Sequence, residues 1–243
     1  MPEPQNQVRV TGWAPYWAPM VSFLAIVELS GRVADPFVPI FLVLRVAVPF
    51  GLFVFFALRD SYPELRGARW GPWALADVAI GLLGAALWIA PFLLFDGLRP
   101  DDAGFDVNQL GDHGSWLALT LRAIGYSLVT PFVEELFVRS WLLRYVDVAE
   151  TRRAFRAVPI ARFSWRSFVI VTLYFVFSHA SWEWGVMFVW TMLTMGWFYR
   201  RKHIAPLVLV HAVTNGAIFA FVVLFDRVFR DASGAPIPLW FFL

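Results

Sequence analysis

The chain contains no cysteine, which excludes disulfide staples, thiol catalysis and cysteine-ligated metal. Charge is also scarce. Only 16% of its 243 residues are Asp, Glu, Lys or Arg, against 59% hydrophobic, where soluble domains carry about 25% charged residues. With a mean hydropathy of +0.63, this composition belongs to an all-α, polytopic membrane protein. The net charge of +2 gives no field for nucleic acid. The start, Met1 to Thr11, is polar and holds Pro2 and Pro4, so it lacks the charged end and apolar core of a cleaved signal peptide. Membrane entry then rests on the first spanning helix. No repeat, low-complexity tract or loop long enough to fold alone interrupts the chain, and residues 1–243 read as a single integral-membrane domain.

What is abundant is apolar sequence in long runs. A helix needs about 20 such residues to cross the hydrocarbon core, and runs of that kind occur at roughly 13–31, 37–58, 73–95, 116–143, 167–181, 184–199 and 204–225. Seven spans are expected, the fifth short and flanked by interfacial aromatics, with 236–243 docking at the interface. Trp13, Trp17, Trp70, Trp73, Trp182 and Trp184 lie near the expected ends, as in aromatic belts. Arg144, Arg152, Arg153, Arg156, Arg162 and Arg166 in the loop 144–166, then Arg200, Arg201 and Lys202, and Arg59, Arg66 and Arg69 mark three cytoplasmic loops by the positive-inside rule. Asp96, Asp101, Asp102, Asp106 and Asp112 mark 96–114 as outside, and Glu183 marks the 182–183 turn likewise. The N-terminus is therefore expected in the cytoplasm, in a multi-pass protein of the bacterial inner membrane.

The ionisable residues within these runs are the informative ones, since charge at such depth is costly unless paired or useful. Glu134, Glu135 and Arg139 fall in the fourth run. Glu135 and Arg139 are four apart and share a helix face, as an ion pair would, while Glu134 points about 100° away and is left to face a cavity. Counting about 1.5 Å per residue from the basic ends, Glu134 lies about 15 Å deep, His179 about 20 Å and His211 about 14 Å. Three helices thus bring a carboxylate and two imidazoles to one level. Asn215 shares a face with His211, and Phe175 with His179, where its ring would pack beside the imidazole. Pro131 should bend the helix and free carbonyls beside Glu134. Glu28, Arg45, Asp77 and Arg122 show no matching pattern and are expected to pair with one another in the bundle interior. His113 and His203 sit in or beside loops, and solvation accounts for them.

A carboxylate and an imidazole facing one water can deprotonate it and later protonate a leaving amine. A second His with an Asn can donate to the oxyanion of a tetrahedral intermediate. Hydrolysis of a peptide bond is chemically complete with these groups. Glu134, His179 and His211 could instead hold a divalent metal such as zinc, with a place open for water; Asn is a poor zinc ligand and no His-Glu-x-x-His helix is present, so the reading without a cofactor is preferred. Glu and His inside helices also form proton relays, which keeps a proton-coupled transporter as an alternative, beside a non-catalytic membrane scaffold or immunity protein.

In sequence order, Glu134-Glu135-x-x-x-Arg139, Phe175-x-x-x-His179 and His211-x-x-x-Asn215 resemble the motif set of the CAAX-protease and bacteriocin-processing (CPBP, or Abi) family of intramembrane endopeptidases, related to the prenyl-protein protease Rce1. The resemblance covers residues 116–225 as a catalytic core. It implies that Glu134 activates water with His179, that His211 and Asn215 stabilise the oxyanion, and that Glu135, Arg139 and Phe175 support the site. Metal dependence stays open on this likeness. The peptidase reading expects a membrane-bound peptide, protein or lipopeptide near the cytoplasmic leaflet as substrate, with the lipid bilayer as the other partner. Ser140 stands where many members have Gly. The short, Trp-rich form also resembles the subgroup that accompanies exosortase systems.

Overall fold

The computed structural model describes residues 12–34, 37–101, 104–111 and 114–243. The N-terminal segment 1–11 and the acidic-loop residues Asp102, Asp112 and His113 lie outside the described residues, so the expectations placed on them have no structural counterpart. Among the described residues there is no strand. Seven long helices follow one another: α1 Ala14–Ser30, α2 Val38–Ala57, α3 Pro72–Leu94, α4 Ser115–Val146, α5 Trp165–Phe177, α6 Trp184–Arg201 and α7 Ile204–Phe225. They coincide with the seven apolar runs, and α2, α3, α4 and α7 are long and apolar enough to cross a membrane.

The fifth run departs from its expected length. Helix α5 has 13 residues and rises only about 20 Å, short of the roughly 30 Å hydrocarbon core. It stops at Phe177 because the chain turns out at Ser178 and becomes extended at Ala180, whose N–H is taken by the Glu183 carboxylate at 3.1 Å. His179 therefore sits on a turn rather than inside a helix.

Close helix contact builds the frame. A Cβ added at Gly81 of α3 would lie 2.7 Å from the Val210 carbonyl, and one at Gly84 would lie 2.9 Å from Thr214 Oγ1. Only glycine lets α3 press against α7 there, and Thr214 uses the contact by donating to the Gly81 carbonyl at 2.9 Å. This fixes the height and rotation of α7, hence of His211 and Asn215 on either side of Thr214. Gly125 of α4 likewise sits against Val46 of α2.

Ion pairs lock the other end of the bundle. Asp77 is fully buried and binds Arg201 Nε at 2.9 Å and Trp197 Nε1 at 2.8 Å. Glu28 pairs with the exposed Arg32 one turn on. The expected mutual pairing of Glu28, Arg45, Asp77 and Arg122 therefore does not occur: two found partners near helix ends, and the two arginines did not. His203, expected to be solvated, caps α7 by accepting from the Ala205 N–H at 3.2 Å. Ser140 donates its hydroxyl to Glu64, which also accepts from Tyr16 at 2.6 Å and pairs with Arg144 at 3.4 Å. The hydroxyl that departs from the family pattern thus ties α4 to the 59–72 segment.

Candidate active site

Helix α4 leaves α-helical register twice, with π-helical turns at Gly125–Val129 and Leu136–Leu142 around the short α-segment Thr130–Glu135. Such bulges are uncommon and concentrate at functional sites. The sequence shows why the first has consequences. In the π register the Thr130 N–H bonds the Gly125 carbonyl five residues back. The donor due to the Tyr126 carbonyl is then residue 131, a proline with no N–H. Asn215 of α7 supplies the missing donor, Nδ2 to Tyr126 O at 2.8 Å. The freed carbonyl foreseen at Pro131 is thus satisfied from a neighbouring helix, as an apolar surrounding demands.

Between the two π-turns, Glu134 and Glu135 both reach the imidazole of His211. Nδ1 lies 2.9 Å from Glu135 Oε1, and Nε2 lies 3.9 Å from Glu134 Oε2. The same Glu135 oxygen accepts from Arg139 Nη1 at 2.7 Å, and both side chains of that pair are 0% exposed. Arg139 also donates to Thr194 Oγ1 at 2.8 Å, and its guanidinium lies 4.1 Å over the Phe175 ring. The Glu135–Arg139 pair is as the spacing foretold, but Glu135 does a second job. By accepting at Nδ1 it assigns the proton there and turns Nε2 toward Glu134.

Phe175 acts differently from expectation. Its ring supports Arg139, and its backbone carbonyl holds His179 Nδ1 at 2.8 Å. The ring beside His179 is that of Trp88, with centroids 6.3 Å apart. Each imidazole therefore has Nδ1 engaged; His211 Nε2 faces Glu134, and among the described residues no hydrogen bond takes His179 Nε2.

Glu134, His179, His211 and Asn215 line one cavity of about 370 Å³. It lies where the C-terminal halves of α1 and α3 meet the N-terminal halves of α2 and α6, in the half of the bundle away from the Arg-rich loops. Glu183 and the arginines Arg45 and Arg122 line it too, and the sequence reading did not place them in the site. Glu183 follows His179 by four residues on the turn, a spacing that was visible but lies outside a helix. Burial pushes its carboxyl above the ordinary glutamate value, opposed by the neighbouring His179 and the Ala180 N–H. As for a metal, Glu134, His179 and His211 share the cavity, but among the described residues no three His, Asp or Glu side chains gather closely enough to hold an ion.

No curated protein and no solved structure matches the chain. One family model does, described as Rce1-like, type II CAAX prenyl endopeptidase Rce1-like, over residues 116–217. That span starts at the head of α4 and ends two residues past Asn215, so it takes in both glutamates, both cavity histidines and the asparagine. Over residues 116–217 the chain is therefore similar to the Rce1-like family of type II CAAX prenyl endopeptidases.

Proposed function

We propose that the chain is an intramembrane endopeptidase that hydrolyses a peptide bond in a membrane-associated protein or lipopeptide, using water activated by Glu134 and His179. The observation that carries this is the convergence of Glu134, His179, His211 and Asn215 on one cavity, with His211 held between two carboxylates. Water bound between Glu134 and the free Nε2 of His179 attacks the carbonyl carbon, and its proton passes to Glu134. His211, carrying its second proton on Nε2, and the second amide hydrogen of Asn215 donate to the oxyanion. Glu134 then returns the proton to the leaving amine, so that one water and one peptide give one acid and one amine. No step is routed through a metal.

The test is cleavage of a peptide and lipopeptide library by purified protein in lipid nanodiscs, with Glu134→Ala and His179→Ala alongside. Both variants should lose turnover while keeping wild-type helicity and elution. Full activity in Glu134→Ala would overturn the assignment. Activity lost to a chelator and regained with zinc would replace the metal-free scheme. Absence of cleavage by the wild type, with liposome proton flux that depends on Glu134, would make these groups a proton pathway instead.

A further inference from the structure

The segment after α7, residues 226–243, folds back onto the bundle. The chain turns at Arg227, whose left-handed backbone (φ 60°) is uncommon for a residue with a side chain. The Arg227 N–H bonds the Ile237 carbonyl at 3.1 Å, and the Ile237 N–H bonds the Phe229 carbonyl at 2.9 Å. This hairpin carries residues 237–243 across the end of the bundle opposite the Arg-rich loops. There Phe241 and Phe242 line the cavity that holds Glu134, His179, His211 and Asn215. Their rings pack edge to face on Phe92 of α3 and Trp182 of the turn after α5: Phe92 lies 5.9 Å from Phe241 and 5.5 Å from Phe242, and Trp182 lies 5.7 Å from Phe241, centroid to centroid. Gly104 makes the seat. A Cβ there would collide with the Trp240 carbonyl, which accepts the Phe105 N–H at 3.1 Å.

The cavity is too closed and too small to pass a polypeptide. The Glu134 side chain is 13% exposed and that of His211 7%, and the cube root of 370 Å³ is about 7 Å, the length of about two extended residues. An endopeptidase substrate continues on both sides of the bond, so a wall has to move. Helices α3, α6 and α7 are poor candidates. Gly81 and Gly84 press α3 on α7, and the buried Asp77–Arg201 pair ties α3 to α6, so parting them strands buried polar groups. Helix α2 is held on α4 at Gly125. Residues 237–243 differ in kind. Their side chains, Ile, Pro, Leu, Trp, Phe, Phe and Leu, attach by apolar contact, which is non-directional. Backbone bonds add to this, Phe105 N–H to Trp240 and Leu239 N–H to Asp226 Oδ1 at 2.8 Å. Lifting these residues unpairs no charge.

We propose that residues 226–243 are a lid on the catalytic cavity, hinged at Arg227 and latched by Phe241 and Phe242 on Phe92 and Trp182, and that it lifts to admit a substrate chain and release the products. The structure holds it closed. This rests on the peptidase reading for what passes beneath the lid, and it adds a direction: the scissile segment enters from the end of the bundle that carries the 96–114 loop, opposite the Arg-rich loops.

The chain has no cysteine, so Phe105→Cys with Trp240→Cys gives the sole pair of thiols, outside the cavity lining, where the parent rings are 6.3 Å apart. A short reducible bis-maleimide joins them and pins the lid. The unlinked pair should cleave a fluorogenic peptide as the wild type does. The linked protein should lose kcat/KM by on the order of tenfold or more, as its binding-competent fraction falls, and reduction should restore it. Each single-cysteine variant treated alike should be unaffected. Wild-type turnover by the fully linked protein, or equal loss in the single variants, would overturn the lid. A second measurement needs no turnover. Thr130→Cys places one thiol in the cavity wall on α4, and its rate of maleimide labelling reports how often the cavity opens. With Phe241→Ala and Phe242→Ala added, that rate should rise on the order of tenfold, as for an open fraction released from ring pairs of this kind, with helicity unchanged. An unchanged rate would overturn the lid whatever the protein cleaves. If the wild type cleaves no peptide, the peptidase reading fails by itself and the labelling rate still decides the lid.

Discussion

Substitution of Glu135 by glutamine tests the arrangement at the atom on which it converges. Glu135 Oε1 accepts from Arg139 Nη1 at 2.7 Å and from His211 Nδ1 at 2.9 Å, while Oε2 is buried with no partner among the described residues. Glutamine keeps one acceptor oxygen, loses the charge that neutralises Arg139, and places an NH2 where Oε2 had no donor to meet. Removing one partner of a buried pair costs about 3–5 kcal/mol. For a chain of this size each kcal/mol moves the midpoint by about 2–4 °C, so roughly 6–20 °C of Tm is at stake. The 13 tryptophans give a fluorescence signal for the melt in detergent. A companion variant separates the brace from the chemistry. Glu135→Leu with Arg139→Met replaces the pair by apolar residues, a change that is often neutral or stabilising, and should recover most of the lost Tm. It should not recover turnover, because His211 Nδ1 has lost its acceptor. A Glu135→Gln protein with wild-type Tm and wild-type kcat would refute the reasoning, and a fully active double variant would refute its second half.

Two further outcomes follow from the geometry. Because the chain has no cysteine, Ser181→Cys on the cavity-side turn and Lys202→Cys in the basic turn each create the sole thiol; a membrane-impermeant maleimide should label the first in intact cells and the second only after permeabilisation, and the reverse pattern would invert the orientation read from loop charge. Glu183 has its carboxyl raised above the ordinary value by burial, so its ionised form costs stability above that raised value and costs nothing once the pH falls below the ordinary glutamate value. Glu183→Gln should therefore melt above the wild type at neutral pH and lose that advantage on acidification, read as the difference in Tm across pH 4 to 8 or so; an advantage independent of pH would show that the charge is not its source.

The helical architecture was legible because apolar run length is a strong, local signal: the ends of α1, α2, α3, α6 and α7 fall within a few residues of those read from composition. Helix α5 was overestimated because Phe177, Ala180 and Trp182 are apolar whether or not the backbone stays helical, and its end is set by the Glu183 carboxylate capturing the Ala180 N–H, a bond that hydropathy cannot register. The four cavity residues were legible through spacing and depth. What escaped was the rest of the lining. Arg45 and Arg122 stood out as charges in apolar runs, but the rule that buried charges find partners pointed toward pairing, and it takes coordinates to show which charges have none. Phe175 illustrates a subtler miss: the four-residue spacing to His179 was right, yet the contact runs through the carbonyl, because residue 179 has already left the helix.

The division of the two adjacent glutamates is where sequence and structure inform each other most. On a regular helix neighbours point about 100° apart, which suggested that Glu135 braces Arg139 while Glu134 alone faces the chemistry. The imidazole of His211 closes that angle, since its two nitrogens reach different carboxylates, Nδ1 to Glu135 and Nε2 toward Glu134. Glu135 is thus shared between the brace and the site through one oxygen atom. Any change to Arg139 must then be felt at His211 Nδ1, and any change at His211 must alter how well the buried Arg139 is neutralised. Asn215 repeats the pattern, because the amide that faces the cavity also closes the Tyr126 carbonyl that Pro131 leaves open. In a bilayer interior, where no water stands ready to satisfy a displaced group, a small set of polar side chains has to satisfy the fold while lining the cavity, and Glu135 and Asn215 each do both.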